Sequence, residues 1–348
     1  MVMQDDGTVE VRPEPHPGRA AARHSGAYIR AGVALLLYGA ALGAWALYDV
    51  LHADLGVGDF LEGLFNPLAA LGPLLFGPHA WALTVATAAV GGLLLARRRA
   101  ARTAALLLGA VLLALSLREG VGLLHETYRT GYAADPLGGW YLATRVLELV
   151  ASVVVLFALV PAGERPAPGP PGATGASRWH HRISRVCGVL FLIMGVLVLA
   201  WTAWGPAAGR GAVGGYLRGL VDASAREVPF GTDLAGSPEF RTVTSVVALL
   251  VLGFLACRAR ADVRGALLLL AATRLYLTVQ MVVLLAVTGS FDASLRTAES
   301  TLSLMTTAYE LVASTSVVIL ATGPRFSAYD ARWAARPTAG LPGRGGQP

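Results

Sequence analysis

The sequence predicts an all-α, polytopic membrane protein whose eight transmembrane helices form two parallel four-helix repeats. Three observations predict it. Of the 348 residues, 55% are hydrophobic and only 14% charged. Apolar windows of spanning length, roughly 17 to 25 residues, recur along the chain, and features of the first four windows return in the same order in the last four. The net charge of +6 rests wholly on arginine, because the chain has no lysine. Those arginines gather between apolar runs, a pattern that sets membrane orientation and excludes nucleic acid as a partner. The missing lysine rules out Schiff-base chemistry. Cys187 and Cys257 are the only cysteines and lack CxxC spacing, so thiol-redox and zinc-thiolate readings are poor.

Residues 1–26 are polar and proline-rich, which predicts a disordered cytoplasmic tail and not a signal peptide. The first repeat, 27–161, carries spans at 31–51, 80–96, 103–124 and 139–160. A Pro/Gly-rich stretch over 162–184 reads as a flexible linker. The second repeat, 185–323, carries spans at 185–204, 241–257, 264–287 and 299–322, and 324–348 reads as a second tail. The basic loops "ARRRAARTA" and "ACRARADVRGA" assign their side to the cytoplasm of an inner (plasma) membrane, with both termini on that side. The segment after the first span carries Asp49, Asp54, Asp59 and Glu62 and no arginine, as an outer segment should. Its apolar spacing (Phe60, Leu61, Leu64, Phe65) predicts a short helix along the outer interface, and "GGYLRGLVDASAREVPF" is its counterpart in the second repeat.

Duplication is read from collinear anchors. Gly32, Gly39 and Trp45 return as Gly188, Gly195 and Trp201, offset by 156 residues; the basic loop returns next; and "ELVAS" returns offset by 162. An even number of helices per copy gives both copies the same orientation, related by a pseudo-twofold axis along the membrane normal. The shared segment holds the chain's oddest feature. Thr144, Glu148 and Ser152 match Thr306, Glu310 and Ser314, each set spaced by four and therefore on one helix face. Glu299 and Ser303 extend that face in the second copy. A charge in a spanning helix must turn toward other helices or a cavity.

Depth counted along the helices predicts two buried pairs, Arg118 with Glu148 and Arg274 with Glu310, with Arg145 an i,i+3 competitor for Glu148. Glu119 and Gln280 occupy corresponding positions when the third and seventh spans are aligned. Three readings of the stripe stay open: structural pairing that fixes helix rotation, a path or site for a polar, small or lipidic ligand, and acid–base catalysis by Glu148 or Glu310. His52, His79 and His125, with Glu126, lie at outer span ends of the first copy only. They are candidates for a metal site, but HxxxH and HExxH spacings are absent, and an interfacial role is the favoured reading. No phosphate loop, DxD cluster or GxSxG elbow occurs, so no cofactor is expected. Trp45, Trp140, Trp201 and Trp204 are expected in an aromatic belt, and the paired glycines at close helix contacts.

A four-helix unit with a "GVLFLIMGVLVLAW" first helix, a basic loop between its second and third helices and a glutamate in its fourth resembles the DoxX-like group of small bacterial membrane proteins. The resemblance covers each half, and the long outer segment after the first span departs from it. That family is functionally diverse, so the resemblance implies a fold more than an activity. The lipid bilayer is the one partner the sequence names; the leading functional reading is non-enzymatic binding or transport of a small or lipidic molecule between the repeats, ahead of an accessory subunit and of an intramembrane enzyme.

Overall fold

A computed structural model describes residues 18–52, 57–66, 77–163, 174–207, 213–225, 234, 236–258, 262–291 and 295–323. The expected tails, apart from 18–26, and Asp54 lie outside these residues, as does 164–173 of the expected linker. Helix α1 is Ser25–His52, α2 Val57–Gly63, α3 Pro78–Leu95, α4 Arg99–Gly122, α5 Glu126–Ala134 and α6 Gly138–Leu159. In the second half α7 is Thr174–Ala207, α8 Val213–Val221, α9 Pro238–Arg258, α10 Arg264–Val287 and α11 Ala298–Thr322. Among the described residues eight helices are long and apolar enough to cross a membrane: α1, α3, α4, α6, α7 (over Arg182–Trp204), α9, α10 and α11. The chain is therefore an all-α polytopic membrane protein.

The side chains are sorted as a bilayer requires. Leu35, Leu42, Val155, Leu249 and Val317 are fully buried between helices, whereas Leu37, Phe157, Val251 and Ile319, on the opposite faces, are half or more exposed. In water such a surface would be an association hazard; facing hydrocarbon it costs nothing. Helix ends follow ordinary capping chemistry. Pro78 stands in the first turn of α3, where its missing N–H is not needed, and the Thr297 hydroxyl accepts from the Ser300 amide at the start of α11. Between α3 and α4 the chain turns through Arg97 at φ 56°. The N-terminal segment braces this turn: the Ala20 amide donates to the Arg97 carbonyl, and the Arg99 amide to the Gly18 carbonyl.

The helices pack in the same scheme in both halves. In the first, α1 lies on α3 and α6, and α4 on α6; in the second, α7 lies on α9 and α11, and α10 on α11. The α1–α3 contact is close because Gly32 meets the Gly91 backbone, where an added Cβ would lie 3.0 Å from the carbonyl oxygen. The α7–α9 contact is closer, a Cβ on Gly188 falling 2.6 Å from the Gly253 carbonyl oxygen. Helices α4 and α10 join the halves. There Leu107 packs into the core of the second half and Leu269, offset from it by 162 residues, into the core of the first.

Two elements depart from expectation. Helix α7 begins at Thr174, inside the stretch read as linker, because "TGASRWHHRISR" has neither proline nor a glycine pair once the Pro-rich run has ended. Helix α5 was not expected; it is short, and its polar sequence "ETYRTGYAA" carries too few apolar residues to show a period.

Gly188→Ala should lower the thermal midpoint of the detergent-solubilised protein, with a loss of about 1–3 kcal/mol from overpacking against backbone atoms. Gly214→Ala, at a site with nothing within 4 Å of the new Cβ, should leave the midpoint unchanged. Equal midpoints for the two variants would show that α7 and α9 can separate freely.

Candidate functional site

The two glutamates of the repeated segment lie inside the bundle, but their surroundings differ. In the first half Thr144, Glu148 and Ser152 are all buried, Glu148 completely. Arg145, one turn earlier, donates from Nη1 to Glu148 Oε2 at 2.8 Å and to the Leu234 carbonyl at 3.0 Å, and its Nε lies 3.8 Å from Glu119 Oε2. Glu148 thus takes its helix neighbour Arg145 and not Arg118. Consecutive residues on a helix point about 100° apart, and on α4 it is Glu119 that faces this cluster. Arg118 is turned toward the second half, where its Nε donates to the Gly219 carbonyl at 3.0 Å and its guanidinium stands over the Phe240 ring at 5.8 Å.

Helix α5 closes one side of this cluster. The Tyr128 and Tyr132 hydroxyls both donate to Glu119 Oε1, at 2.6 Å and 2.5 Å. Burial first, and the Glu119 charge second, push both phenols above their ordinary range, so they remain protonated donors. On the inner side the Tyr38 hydroxyl and Glu148 Oε1 are buried without hydrogen-bond partners. They face each other within electrostatic range, without a hydrogen bond of ordinary geometry.

In the second half Arg274 on α10 reaches across to α11, its Nη2 donating to Glu310 Oε1 at 2.5 Å. Nη1 donates to Ser245 Oγ on α9 at 3.3 Å, and the Thr278 hydroxyl donates to Glu310 Oε2 at 3.4 Å. This pair is the more open: the Arg274 and Glu310 side chains are 17% and 14% exposed, against 10% and 0% for Arg145 and Glu148. Arg274 Nε and Ser314 Oγ are buried without a partner. Along the stripe Thr306 is half-buried, whereas Ser303 is exposed and does not extend the buried face; Glu299 is half-buried. His79, from the first half, lies within electrostatic reach of Arg274 and Arg241. Gln280, buried like Glu119, donates to the Leu64 carbonyl at 2.5 Å and to the Tyr276 hydroxyl at 2.8 Å.

The two halves also share contacts in detail. Trp45 Nε1 donates to the Thr144 hydroxyl, and Trp201 Nε1 to that of Thr306, both at 3.0 Å. Trp45 is buried and stacks on Tyr141 at 4.2 Å, so it is a core residue and not part of a belt; Trp140 and Trp204 are exposed. At the basic end Arg102 donates to the Leu159 carbonyl and Arg264 to the Ala321 carbonyl, both at 2.9 Å. The arginines 19, 97 to 102 and 264 thereby collect at one end of the bundle.

The histidines do not converge, and among the described residues no group of three or more His, Cys, Asp or Glu could hold a metal ion. His52 stacks on Tyr48 at 4.0 Å, and His125 Nε2 lies 3.3 Å from Asp222. Burial opposes ionisation of Asp222, but hydrogen bonds from Ser224 and Arg218, with His125 nearby, hold it below the usual carboxylate range. Glu126 is exposed at the start of α5. The tyrosines, Ser245 and Thr278 carry no sequence signal that separates them from other polar residues of spanning helices.

Glu310→Gln and Arg274→Leu should each destabilise the protein by about 3–5 kcal/mol, because each strands a buried partner. The double replacement should recover much of that loss in thermal melts in detergent. Additive losses would show the two residues to be energetically independent.

No family model matches this chain, and no curated protein and no solved structure matches it either.

Proposed function

We propose that this membrane protein binds, and in binding moves or presents, a small polar or lipidic molecule at the Arg274–Glu310 pair, without catalysing a reaction. One observation carries the reading: the same carboxylate position is sealed in the first half and partly open in the second, where Arg274 Nε and Ser314 Oγ keep unused hydrogen-bonding capacity. Buried polar groups ordinarily find partners, so unused donors and acceptors beside an accessible ion pair favour a ligand. Ser245 and Thr278 add hydroxyls from two further positions. The electrostatic reach of His79 on α3 to Arg274 supports a site between the halves. The sealed Arg145–Glu148 pair fixes helix packing in the first half.

The chain is read as a tandem duplication of a DoxX-like four-helix unit. The repeated Trp–Thr and Arg–carbonyl contacts support the duplication, as does the exchange of Leu107 and Leu269 across α4 and α10. The arginine-rich end is assigned to the cytoplasm of a bacterial plasma membrane, with both termini there.

Mass spectrometry of small molecules and lipids co-purifying with the protein tests the binding reading. A species enriched in the wild type should be lost from Glu310→Asp, which keeps the charge but shortens its reach, while the thermal midpoint falls little. Undiminished retention of that species by this variant would reject Glu310 as a ligand contact. For orientation, single cysteines placed in 50–78 of a variant lacking Cys187 and Cys257 should react with a membrane-impermeant thiol reagent in intact cells. Labelling at 97–102 instead would invert the assignment.

A further inference from the structure

The first half holds two carboxylates around one guanidinium, all of it inside a spanning bundle. Glu119 and Glu148 expose 6% and 0% of their side chains, and Arg145 is the cation both face. Among the described residues the groups turned toward this cluster are the Tyr38 hydroxyl from α1, Glu119 from α4, Arg145 from α6, and the Tyr128 and Tyr132 hydroxyls from α5, which donate to Glu119. Asp49, nearer the outer end of α1, acts on Tyr141 instead. With both carboxylates ionised the cluster would carry a net negative charge out of reach of water, an arrangement that costs several kcal/mol. Two carboxylates that share a site resist joint ionisation, and hydrogen bonds to the charged form decide which one keeps its charge. Glu119 accepts two phenol hydrogen bonds through Oε1 and has Arg145 beside Oε2. Glu148 accepts from Arg145 on Oε2 alone, and its Oε1 has no donor.

We infer that Glu148 is a proton-binding site, its Oε1 taking up one exchangeable proton against the Tyr38 hydroxyl, so that the cluster is neutral when loaded and singly negative when empty. Uptake adds a proton to a carboxylate lone pair and breaks no bond. The phenol of Tyr38, likewise without a partner, is placed to accept from the acid. In the second half the 162-residue offset that matches Arg102 to Arg264 matches Glu119 to Met281, a single carboxylate faces Arg274, and the count already balances. This inference is independent of the ligand reading at Glu310.

Infrared difference spectroscopy of the full-length protein in lipid nanodiscs tests it, through the carbonyl stretch of a protonated carboxylic acid. At neutral pH the wild type should show such a band, sensitive to deuterium exchange. Glu148→Gln should remove it. Glu119→Gln should remove it too, although Glu148 is retained, because Arg145 then neutralises the one remaining carboxylate. Glu126→Gln, at an exposed carboxylate, should leave it in place. No protonated-acid band in the wild type, persistence of the band in either Glu148→Gln or Glu119→Gln, or its loss in Glu126→Gln would overturn the inference. Should Glu119→Gln fail to fold, Tyr38→Phe gives a second reading: loss of the facing hydroxyl should shift the band, and an unshifted band would equally overturn it.

Discussion

A charge inside a bilayer must be met by another charge or by polar groups of the protein itself, and most of the architecture follows from how this chain meets that demand twice. Both halves carry the glutamate at the same place on the last helix, one turn from a threonine that accepts a tryptophan N–H. The answering arginine is not repeated. It comes from the glutamate's own helix in the first half and from the neighbouring α10 in the second. Fixing the anion while the cation is free to come from either helix lets one half close completely and leaves the other ajar.

Helix packing sets the frame in which those pairs are held. Glycines let α1 approach α3, and α7 approach α9, to backbone contact. Lipid offers no hydrophobic drive for helices to associate, so close van der Waals contact and interhelical hydrogen bonds carry the cohesion. The polar groups are thus spread through the bundle: Thr103 Oγ1 accepts from the Ala266 amide across the α4–α10 junction, and Ser184 donates to the Ala256 carbonyl between α7 and α9.

How much of this could be read beforehand depended on the physics of each feature. Spanning helices were legible because twenty apolar residues have few other stable fates. The Glu148 and Glu310 face was legible because a spacing of four fixes direction on a helix. The contact between Arg274 and Glu310 could be read from matched depth on two helices, but depth says nothing of azimuth, which is why it predicted Arg118 for Glu148 where Arg145 stands. Helix α5, with the Tyr128 and Tyr132 hydroxyls on Glu119, was illegible because a nine-residue segment with so few apolar side chains shows no period. Trp45 looked interfacial by position and is instead buried against Tyr141, since its indole N–H has Thr144 to bond.

The connections at the end of the bundle away from the arginine-rich turns are exchanged between the halves. Leu64, just after α2 of the first half, offers its carbonyl to Tyr276 and Gln280 of α10; Gly219 in α8 of the second offers its carbonyl to Arg118 of α4, and Asp222 holds His125. Each half therefore wears the other's arm, like clasped hands. Cutting the chain between α6 and α7 would leave that embrace intact, because these carbonyl contacts and the packing of α4 on α10 join the halves without the covalent link.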